Sequence, residues 1–427
     1  RITRYKLLEK KNIEKQKYND NKLFLLDSRI TISIGHDCLP EIDRIAELVA
    51  RTNQLNYTKN RCDKKTLIRQ ISDDWMDAAY IKLSDKYGEY GIVGFYCYNI
   101  RESRMEHFLF SCRVLGMRLE QYIYQKIGSP VFEINGSVAS PLSTYEEINW
   151  IKEEKESTGE KTEKTDSRIK ILLKGPCDLS TVEPYLIGGK VTTEFNYVSE
   201  NGIIVAGQNH SMHIWESAHL SKNEIDRIIE SVPFLDKGDF ETMLFSKKYH
   251  VICYSLLPDC HAGLYRNKNT GNYISFGSAK FDLTDDRLWD SYCNGRLPDH
   301  GFSFTKEVLE EFAEQWEFVG TTKTEDIIRN IKDMYDNALG DPVFILLLGS
   351  EKECEVYNAE FENHAQKHQQ VNKAVSAFAE GKERIKLIRI TDLIHDQDDY
   401  DGCINHFSRR VYYDLATEIV KCINNSF

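Results

Sequence analysis

The sequence predicts a two-domain α/β protein whose second domain is built on a parallel sheet. Short apolar runs of strand length alternate with helical patterns through the second half of the chain, which is typical of a parallel sheet covered by helices on both faces. A Glu- and Lys-rich stretch at 150–168 lacks apolar periodicity and predicts a linker. The length of 427 residues, at roughly 150 residues per domain, fits this division.

The first half predicts a succession of amphipathic strands and helices. Residues 1–21 are charged and helix-prone, and they predict a lead-in helix with a mostly solvated face. The alternation of Ile with polar residues predicts the first strand at 29–34. The elements that follow are a helix at 40–52, strands at 75–83, 91–99 and 106–111, and a helix at 114–126.

The second half predicts strands and helices in alternation. The strands are expected at 169–173, 202–206, 250–257, 342–348 and 385–390. The helices are expected at 222–231, 305–317, 324–337, 363–379 and 408–424.

Composition and charge exclude several classes of function. The net charge of −12 argues against a nucleic-acid clamp, which needs a concentrated cationic surface. No apolar run approaches the roughly 20 residues of a membrane span, and no signal-peptide core follows the basic first residues. The 11 scattered cysteines include no Cys-x-x-Cys pair and predict a reducing, cytoplasmic environment. The chain does not begin with Met, so we expect it to be a piece of a longer protein.

The segment 108–120 is the most informative part of the first half. A strand is predicted to end there and a helix to begin, with Arg113, Gly116 and Arg118 at the helix start. Exposed backbone N–H groups, the helix dipole and two guanidinium groups would together suit a pyrophosphate. The alternative is an ordinary helix start with surface arginines.

Three segments, 52–58, 85–94 and 108–120, resemble the C-terminal half of the FkbH-like family, and the match covers residues 26–127. The resemblance implies a GNAT-like, mixed-sheet acyltransferase domain at 23–149. Family members usually carry a HAD-type phosphatase domain upstream, and residues 1–22 resemble the helical exit from such a domain. The phosphatase's Asp-x-Asp-x-Thr nucleophile loop is absent from this sequence.

The same resemblance suggests roles for particular residues. It makes Cys112 a candidate acyl-carrying thiol, and a thiol at a helix N-terminus beside Arg113 should have a lowered pKa. It implies that Arg113, Gly116 and Arg118 grip the phosphopantetheine arm of an acyl carrier protein or of CoA. Uncharged polar residues suited to binding a small hydroxy-acyl group are Asn53, Gln54 and Asn56. The alternatives are a buried strand-end cysteine and ordinary helix-capping and turn chemistry.

A second set of candidate residues lies at the two ends of the second domain. Cys177 follows its first strand, and His406 precedes its last helix. A nucleophile and a catalytic His at these positions resemble the layout of SGNH (GDSL-like) hydrolases, which implies a flavodoxin-like, three-layer domain at 169–427. The sequence departs from that family, because Cys177 replaces the serine and Cys403 replaces the expected Asp, with Asp401 nearby as the candidate carboxylate.

The remaining polar residues of the second domain are candidates for shaping a pocket. Asn209 and His210 could supply hydrogen-bond donors, and His261 lies in a polar-aromatic loop after a strand. His210, His213 and His261 lack the spacing of a metal site, so we expect no metal. The alternative for the whole domain is a degenerate SGNH fold used only for binding.

Together these features predict an acyl-transfer protein. A small, glyceryl-type acyl group would pass from a carrier-protein or CoA thioester to a hydroxyl acceptor in surface-glycan or secondary-metabolite biosynthesis. Two alternatives stay open, a thioesterase or esterase that releases the acyl group to water, and a non-catalytic module that docks an acyl carrier protein.

Overall fold

Two five-stranded sheets organise the part of the chain that the structure describes. This computed structural model describes residues 21–427 apart from 74, 144–145, 155–168, 187–189, 200, 295–301 and 356–360. The strands are β1 (Ile30–Gly35), β2 (Met76–Asp85), β3 (Gly88–Asn99), β4 (Arg104–Phe110), β5 (Ile151–Glu153), β6 (Lys170–Gly175), β7 (Lys190–Phe195), β8 (Tyr197–Val198), β9 (Ile204–Val205), β10 (Val251–Ser255), β11 (Ala262–Asn267), β12 (Tyr273–Ser278), β13 (Trp316–Gly320), β14 (Val343–Leu348) and β15 (Ile385–Arg389). The α-helices are α1 (Asn21–Ser28), α2 (Ile42–Arg51), α3 (Lys64–Ile71), α4 (Leu119–Lys126), α5 (Ser211–His219), α6 (Lys222–Ser231), α7 (Leu257–His261), α8 (Trp289–Cys293), α9 (Lys306–Gln315), α10 (Thr324–Asn337), α11 (His364–Ala379) and α12 (Arg409–Asn424).

The first sheet is mixed and has the strand order β4-β3-β2-β1-β5. Its neighbours pair antiparallel except β1 and β5, which run parallel. Helix α2 covers one face with Ile45, Leu48 and Val49, the apolar stripe of a 3.6-residue period. Helix α4 covers the other face, where Phe108 of β4 packs against Tyr57 and Tyr124. All four strands predicted in the first half are present in this sheet.

Strand β5 lies inside the stretch that was predicted to be a linker. Ile151 pairs with Ile30, and the indole nitrogen of Trp150 donates to the carbonyl oxygen of Met117 at 2.9 Å. Residues 150–153 therefore complete the first sheet, and any linker starts after them. The rest of the predicted linker, from 155, lies outside the described residues, as does most of the lead-in helix predicted at 1–22.

The helix predicted at 114–126 is shorter than expected. A 3₁₀ turn, Cys112–Val114, follows β4, and helix α4 begins only at Leu119. Between them Gly116 and Arg118 have φ angles of 72° and 61°, in the left-handed region that an α-helix does not contain. The predicted α-helix start at 114 is therefore wrong, and no α-helix N-terminus lies beside Arg113.

The second sheet is fully parallel and has the strand order β15-β14-β10-β6-β7. Numbered along this domain, the strands follow the order 2-1-3-4-5 of flavodoxin-like sheets. Helices α10 and α11 pack on one face and α12 on the other, which makes three layers. The strand order reverses between β6 and β10, and parallel sheets bind ligands at the carboxyl ends of the strands at such a point. The turn after β6, which carries Cys177, lies there.

Parts of the second domain differ from the prediction. Strand β7 was not predicted, because its residues are only partly buried and form no apolar run. The strand expected at 202–206 contributes only Ile204–Val205, which pairs with Tyr197–Val198 in a small hairpin outside the main sheet. A further antiparallel sheet, β12-β11-β13, packs on an aromatic core around Phe234 and Phe312 and is inserted between β10 and β14.

The two domains meet at the buried guanidinium group of Arg409, the first residue of α12. It donates to the Tyr185 hydroxyl at 2.6 Å, to the carbonyl oxygen of Arg113 at 2.8 Å and to the Tyr90 hydroxyl at 3.0 Å. Arg113 and Tyr90 belong to the first domain, and Tyr185 to the second. A Cβ atom on Gly116 would lie only 3.2 Å from the backbone nitrogen of Arg409, so glycine permits this close approach.

Aromatic rings extend the contact between the domains. The ring of Tyr87 lies 5.0 Å from that of Tyr185 and 5.3 Å from that of Tyr413. Phe24 of α1 packs on Tyr413 at 5.2 Å. Ring pairs of this kind contribute about 0.5–1.5 kcal/mol each beyond their area burial. The relative position of the two domains is thus set by a buried cation and a surrounding group of aromatic rings.

We expect Arg409→Met to lower the free energy of unfolding by roughly 3 kcal/mol. The substitution removes three hydrogen bonds from a charged donor and leaves their buried acceptors without a partner. Urea unfolding curves would measure the change. Arg287→Met is the matched control, because Arg287 is 84% exposed and pairs only at the surface with Asp285. Equal unfolding midpoints for the two variants would contradict the role assigned to Arg409.

Candidate active site

A cleft of about 240 Å³ lies between the two domains. The first domain contributes α2, the turn after it and the 3₁₀ turn Cys112–Val114. The second domain contributes the 3₁₀ turn Cys177–Thr181 after β6 and the end of β7. The cleft therefore has one wall from each domain and depends on how they pack.

Two thiols line this cleft, one from each domain. Cys112 begins the turn after β4, and the side chain of Ser111 caps that turn by accepting from the Arg113 backbone N–H at 3.3 Å. Cys177 begins the turn after β6. The two turns pack against each other, so the two cysteines lie beside one another in the wall of the cleft. The structure thus brings together two residues that the sequence assigned to separate sites.

The interaction between the two thiols shifts their pKa values in opposite directions. The pKa of Cys112 is lowered, chiefly because the Cys177 thiol donates to the Cys112 sulfur; burial and Asp178 oppose this effect, and His406 adds to it. The pKa of Cys177 is raised well above its ordinary value, first because its proton is held in that hydrogen bond and second by burial. Cys112 is therefore the sulfur that carries negative charge more readily.

His406 is held by the loop that precedes α12. Its backbone N–H donates to the carbonyl oxygen of Cys403 at 3.2 Å, and its carbonyl oxygen accepts from the Asp401 N–H at 2.9 Å. The Nδ1 atom of its ring lies 3.3 Å from the Cys403 sulfur. Cys403 thus occupies the position beside Nδ1 at which a carboxylate commonly orients a catalytic imidazole.

Charged neighbours decide the protonation of His406. Burial alone lowers the pKa of His406, but the acidic groups around it outweigh burial and raise that pKa to about 10. Those groups are Cys403, Asp178 and Asp401. The imidazolium is therefore the form present near neutral pH.

Gln54 contacts the other ring nitrogen of His406. Its Nε2 atom lies 3.1 Å from Nε2 of His406, while its Oε1 atom is buried without a hydrogen-bond partner. An amide donor at this place suits a neutral imidazole with a bare Nε2. A half-turn of the amide puts Oε1 at the same place, where it accepts from a protonated Nε2. Gln54 can therefore accompany His406 through both protonation states.

Asp178 and Tyr412 belong to the site and were missed by the sequence reasoning. The Asp178 side chain is buried, its Oδ2 accepts from the Tyr412 hydroxyl at 2.6 Å, and its Oδ1 has no partner. Burial raises the pKa of Asp178, against the opposing effects of His406 and of the Tyr412 hydrogen bond. The position of Asp178 directly after Cys177 was a usable signal, whereas Tyr412 lies inside an amphipathic helix and gave none.

The predicted phosphate-gripping residues are dispersed. Arg113 lines the cleft and pairs with Glu183 at 3.4 Å. Gly116 faces the domain interface instead, and Arg118 is bound to Glu146, with a further contact to Glu120 at 3.3 Å. The expected single cradle of three residues is therefore wrong, because the interrupted helix points Gly116 and Arg118 away from Arg113.

The polar residues after α2 also separate. Asn53 and Gln54 line the cleft. Asn56 is fully buried, and its Oδ1 accepts from the Lys59 backbone N–H at 2.9 Å, so it stabilises a turn and cannot reach a ligand in the cleft.

The other second-domain candidates lie outside the cleft wall. Buried Asn209 donates to the carbonyl oxygen of Gly175 at 2.8 Å. Buried His210 accepts from the Met212 backbone N–H at 3.2 Å. His261 is the last residue of α7, and its Nδ1 lies 3.3 Å from Nε2 of His364. The prediction that these three residues contact a substrate is not met in this cleft, because none of them lines it.

The described ranges contain neither a metal-ligating cluster nor a helix suited to a membrane. Within them, no group of three or more His, Cys, Asp or Glu side chains is arranged to hold a metal ion. No helix in the same part of the chain combines the length and apolar character needed to cross a bilayer.

Comparison with known proteins gives only distant similarity. No protein-family model matches the sequence, and no curated protein matches it. Among solved structures, the inhibitor-bound form of an aryl esterase from M. smegmatis is similar with a TM-score of 0.30 and 9% identity, covering 61% of this chain and 100% of that one. A putative acylhydrolase from Bacteroides fragilis NCTC 9343 is similar with a TM-score of 0.28 and 13% identity, covering 60% of this chain and 87% of that one. At these scores the similarity carries no inference about activity, and the FkbH-like and SGNH resemblances stay predictions.

We expect Cys112 to react with iodoacetamide at a lower pH than an ordinary thiol, because the thiolate is the nucleophile and the pKa of Cys112 is lowered. Peptide mass spectrometry would give the midpoint of its alkylation against pH. Cys177→Ala and His406→Ala should each raise that midpoint by about 1–2 pH units, since each removes a group that stabilises the thiolate.

Cys422 provides the internal comparison for this measurement. Burial raises the pKa of Cys422, so its alkylation midpoint should lie above that of Cys112 and should not move in either variant. A Cys112 midpoint that stays unchanged in both variants would contradict the electrostatic assignment.

Proposed function

We propose that this chain transfers a small acyl group from a thioester to a hydroxyl acceptor, with Cys112 as the nucleophile. The observation that carries the proposal is the placement of Cys112 beside Cys177 in an interdomain cleft, where Cys177 and the charge of His406 lower the pKa of Cys112. A thiolate stabilised in this way is nucleophilic near neutral pH. The two sites inferred from the sequence thereby become one.

The first half-reaction loads Cys112. Its thiolate attacks the acyl carbonyl carbon of the donor, and a new C–S bond forms as the C–S bond of the donor breaks. The departing sulfur takes the Nε2 proton of His406, which becomes neutral. The Gln54 amide nitrogen, 3.1 Å from Nε2, then donates to the bare ring nitrogen.

The second half-reaction unloads Cys112. His406 takes the proton of the acceptor hydroxyl, the acceptor oxygen attacks the thioester carbon, and a C–O bond forms as the bond to Cys112 breaks. The thiolate reforms with the hydrogen bond from Cys177. If water replaces the hydroxyl acceptor, the same steps give hydrolysis, which is the esterase alternative.

Buried polar atoms without hydrogen-bond partners support a polar molecule as the acyl acceptor. The Ser180 hydroxyl belongs to a cleft-lining residue, is buried and has no hydrogen-bond partner, and Gln54 Oε1 is in the same condition. Buried polar atoms without partners are costly unless water or a ligand satisfies them. Both can exchange hydrogen bonds with a hydroxyl group of the acceptor.

Arginines in the cleft wall support a donor carried on a phosphopantetheine arm, as in CoA or an acyl carrier protein. Arg44, Arg51 and Arg113 line the cleft together with Glu47 and Glu183. Three guanidinium groups against two carboxylates leave positive charge for a phosphate, and a guanidinium can bind phosphate through paired hydrogen bonds.

We expect intact-mass spectrometry after incubation with acetyl-CoA to show one acetyl group, mapped to Cys112. Cys112→Ser should remain unmodified, because serine is not held as an anion in this cleft. Cys177→Ala should slow acylation roughly 10- to 100-fold, as expected for the loss of one hydrogen bond to a charged group.

Cys422→Ser is the matched control for acylation, because Cys422 lies about 20 Å along α12 from Arg409 at 1.5 Å per residue. It should load at the rate of the parent. Acylation of Cys177 with Cys112 left free would contradict the assignment of the nucleophile. Binding of CoA or of a loaded carrier protein without any acylation would favour the docking alternative.

We expect Arg113→Ala to weaken the binding of CoA by roughly tenfold, because it removes one charge-assisted hydrogen bond at a partly exposed site. Isothermal titration with CoA would measure the affinity. Arg287→Ala, far from the cleft wall in sequence and highly exposed, is the control. If both variants bind CoA with equal affinity, Arg113 does not bind CoA and only pairs with Glu183.

A further inference from the structure

We propose that Cys112 and Cys177 form a reversible disulfide that links the two domains across the cleft. The two residues begin adjacent 3₁₀ turns that pack against each other, and both line the same solvent-accessible cleft. Cα atoms of the two turns approach within 8 Å of each other, close to the roughly 4.4–6.8 Å that a disulfide spans. Both thiols are free and only partly buried.

The other cysteines near the site are less well placed. Cys403 is buried at 3% exposure, and its sulfur faces the imidazole of His406. Cys253 and Cys97 are fully buried in the cores of the second and first domains. Among the described cysteines, Cys112 and Cys177 are the two that line the cleft.

Because the pKa of Cys112 is lowered and that of Cys177 is raised, Cys112 suits the role of the attacking thiol and Cys177 that of the resolving thiol. With hydrogen peroxide as the oxidant, the Cys112 sulfur attacks one oxygen, an S–O bond forms and the O–O bond breaks, and the leaving oxygen becomes water with a proton from His406. The Cys177 sulfur then attacks the Cys112 sulfur, an S–S bond forms and the S–O bond breaks, and the second water leaves with the Cys177 proton. Two sulfurs are oxidised, one peroxide is reduced to two waters, and atoms balance.

Oxidation would have two effects: it would link the two domains covalently, and it would inactivate the proposed active site. A bond between Cys112 and Cys177 ties the turn after β4 to the turn after β6, beside the contact made by Arg409. It also consumes the thiol on which the proposed function rests, so acyl transfer stops until a dithiol reductant restores it. The disulfide itself does not depend on that function.

The test treats the full chain with hydrogen peroxide and follows intact mass and proteolytic peptides. We expect the loss of two hydrogen atoms, a cross-linked peptide that joins Cys112 to Cys177, and complete reversal by dithiothreitol. In Cys177→Ser the reaction should stop at a sulfenic acid on Cys112, which dimedone traps. In Cys112→Ser the cross-linked peptide should be absent, and in Cys422→Ser it should form as in the parent.

The oxidised protein should also become at least tenfold slower in acylation by acetyl-CoA and recover on reduction. If the cross-link forms but neither form is acylated, the disulfide stands and the proposed function fails. If reduced protein is acylated while peroxide yields only unlinked sulfinic acid, the proposed function stands and the disulfide is overturned. A cross-link from Cys112 to Cys403 would also overturn the assignment.

Discussion

The buried guanidinium group of Arg409 holds the two domains in the position that creates the site. Arginine is suited to this place because its planar group offers donors in several directions and keeps its charge when buried. Its hydrogen bonds reach the Tyr185 hydroxyl of its own domain, and the Tyr90 hydroxyl and Arg113 carbonyl of the other. Because Cys112 directly precedes Arg113, the same contact fixes the turn that carries the thiol.

The chemistry of the cleft follows from this packing and is a property of neither domain alone. The first domain supplies Cys112 and Gln54, and the second supplies Cys177 and His406. The Cys112 thiol by itself would be a partly buried group at a strand end, for which burial raises the pKa. The second domain reverses that outcome by placing a hydrogen-bond donor and a positive charge beside the sulfur.

Much of the fold could be predicted from the sequence, because apolar runs and helical periods mark most strands and helices. Strand β7 could not, since its half-buried residues lack an apolar pattern. The turn around Gly116 was misread because a left-handed residue in an otherwise helical pattern leaves no periodic signal. Cys112, Cys177 and His406 were each identified as candidates, but their meeting depends on packing between distant segments, which local patterns do not encode.

The order in which the site is assembled has a consequence for the newly made protein. Synthesis proceeds from the N-terminus, so Cys112 is made before Cys177, and Cys177 before His406. In the proposed mechanism, Cys112 keeps the weak reactivity of an ordinary thiol until the second domain, including the loop before α12, has folded and packed against the first. If Cys112 is the nucleophile we propose, its reactivity thus arises only once both domains have folded and packed together.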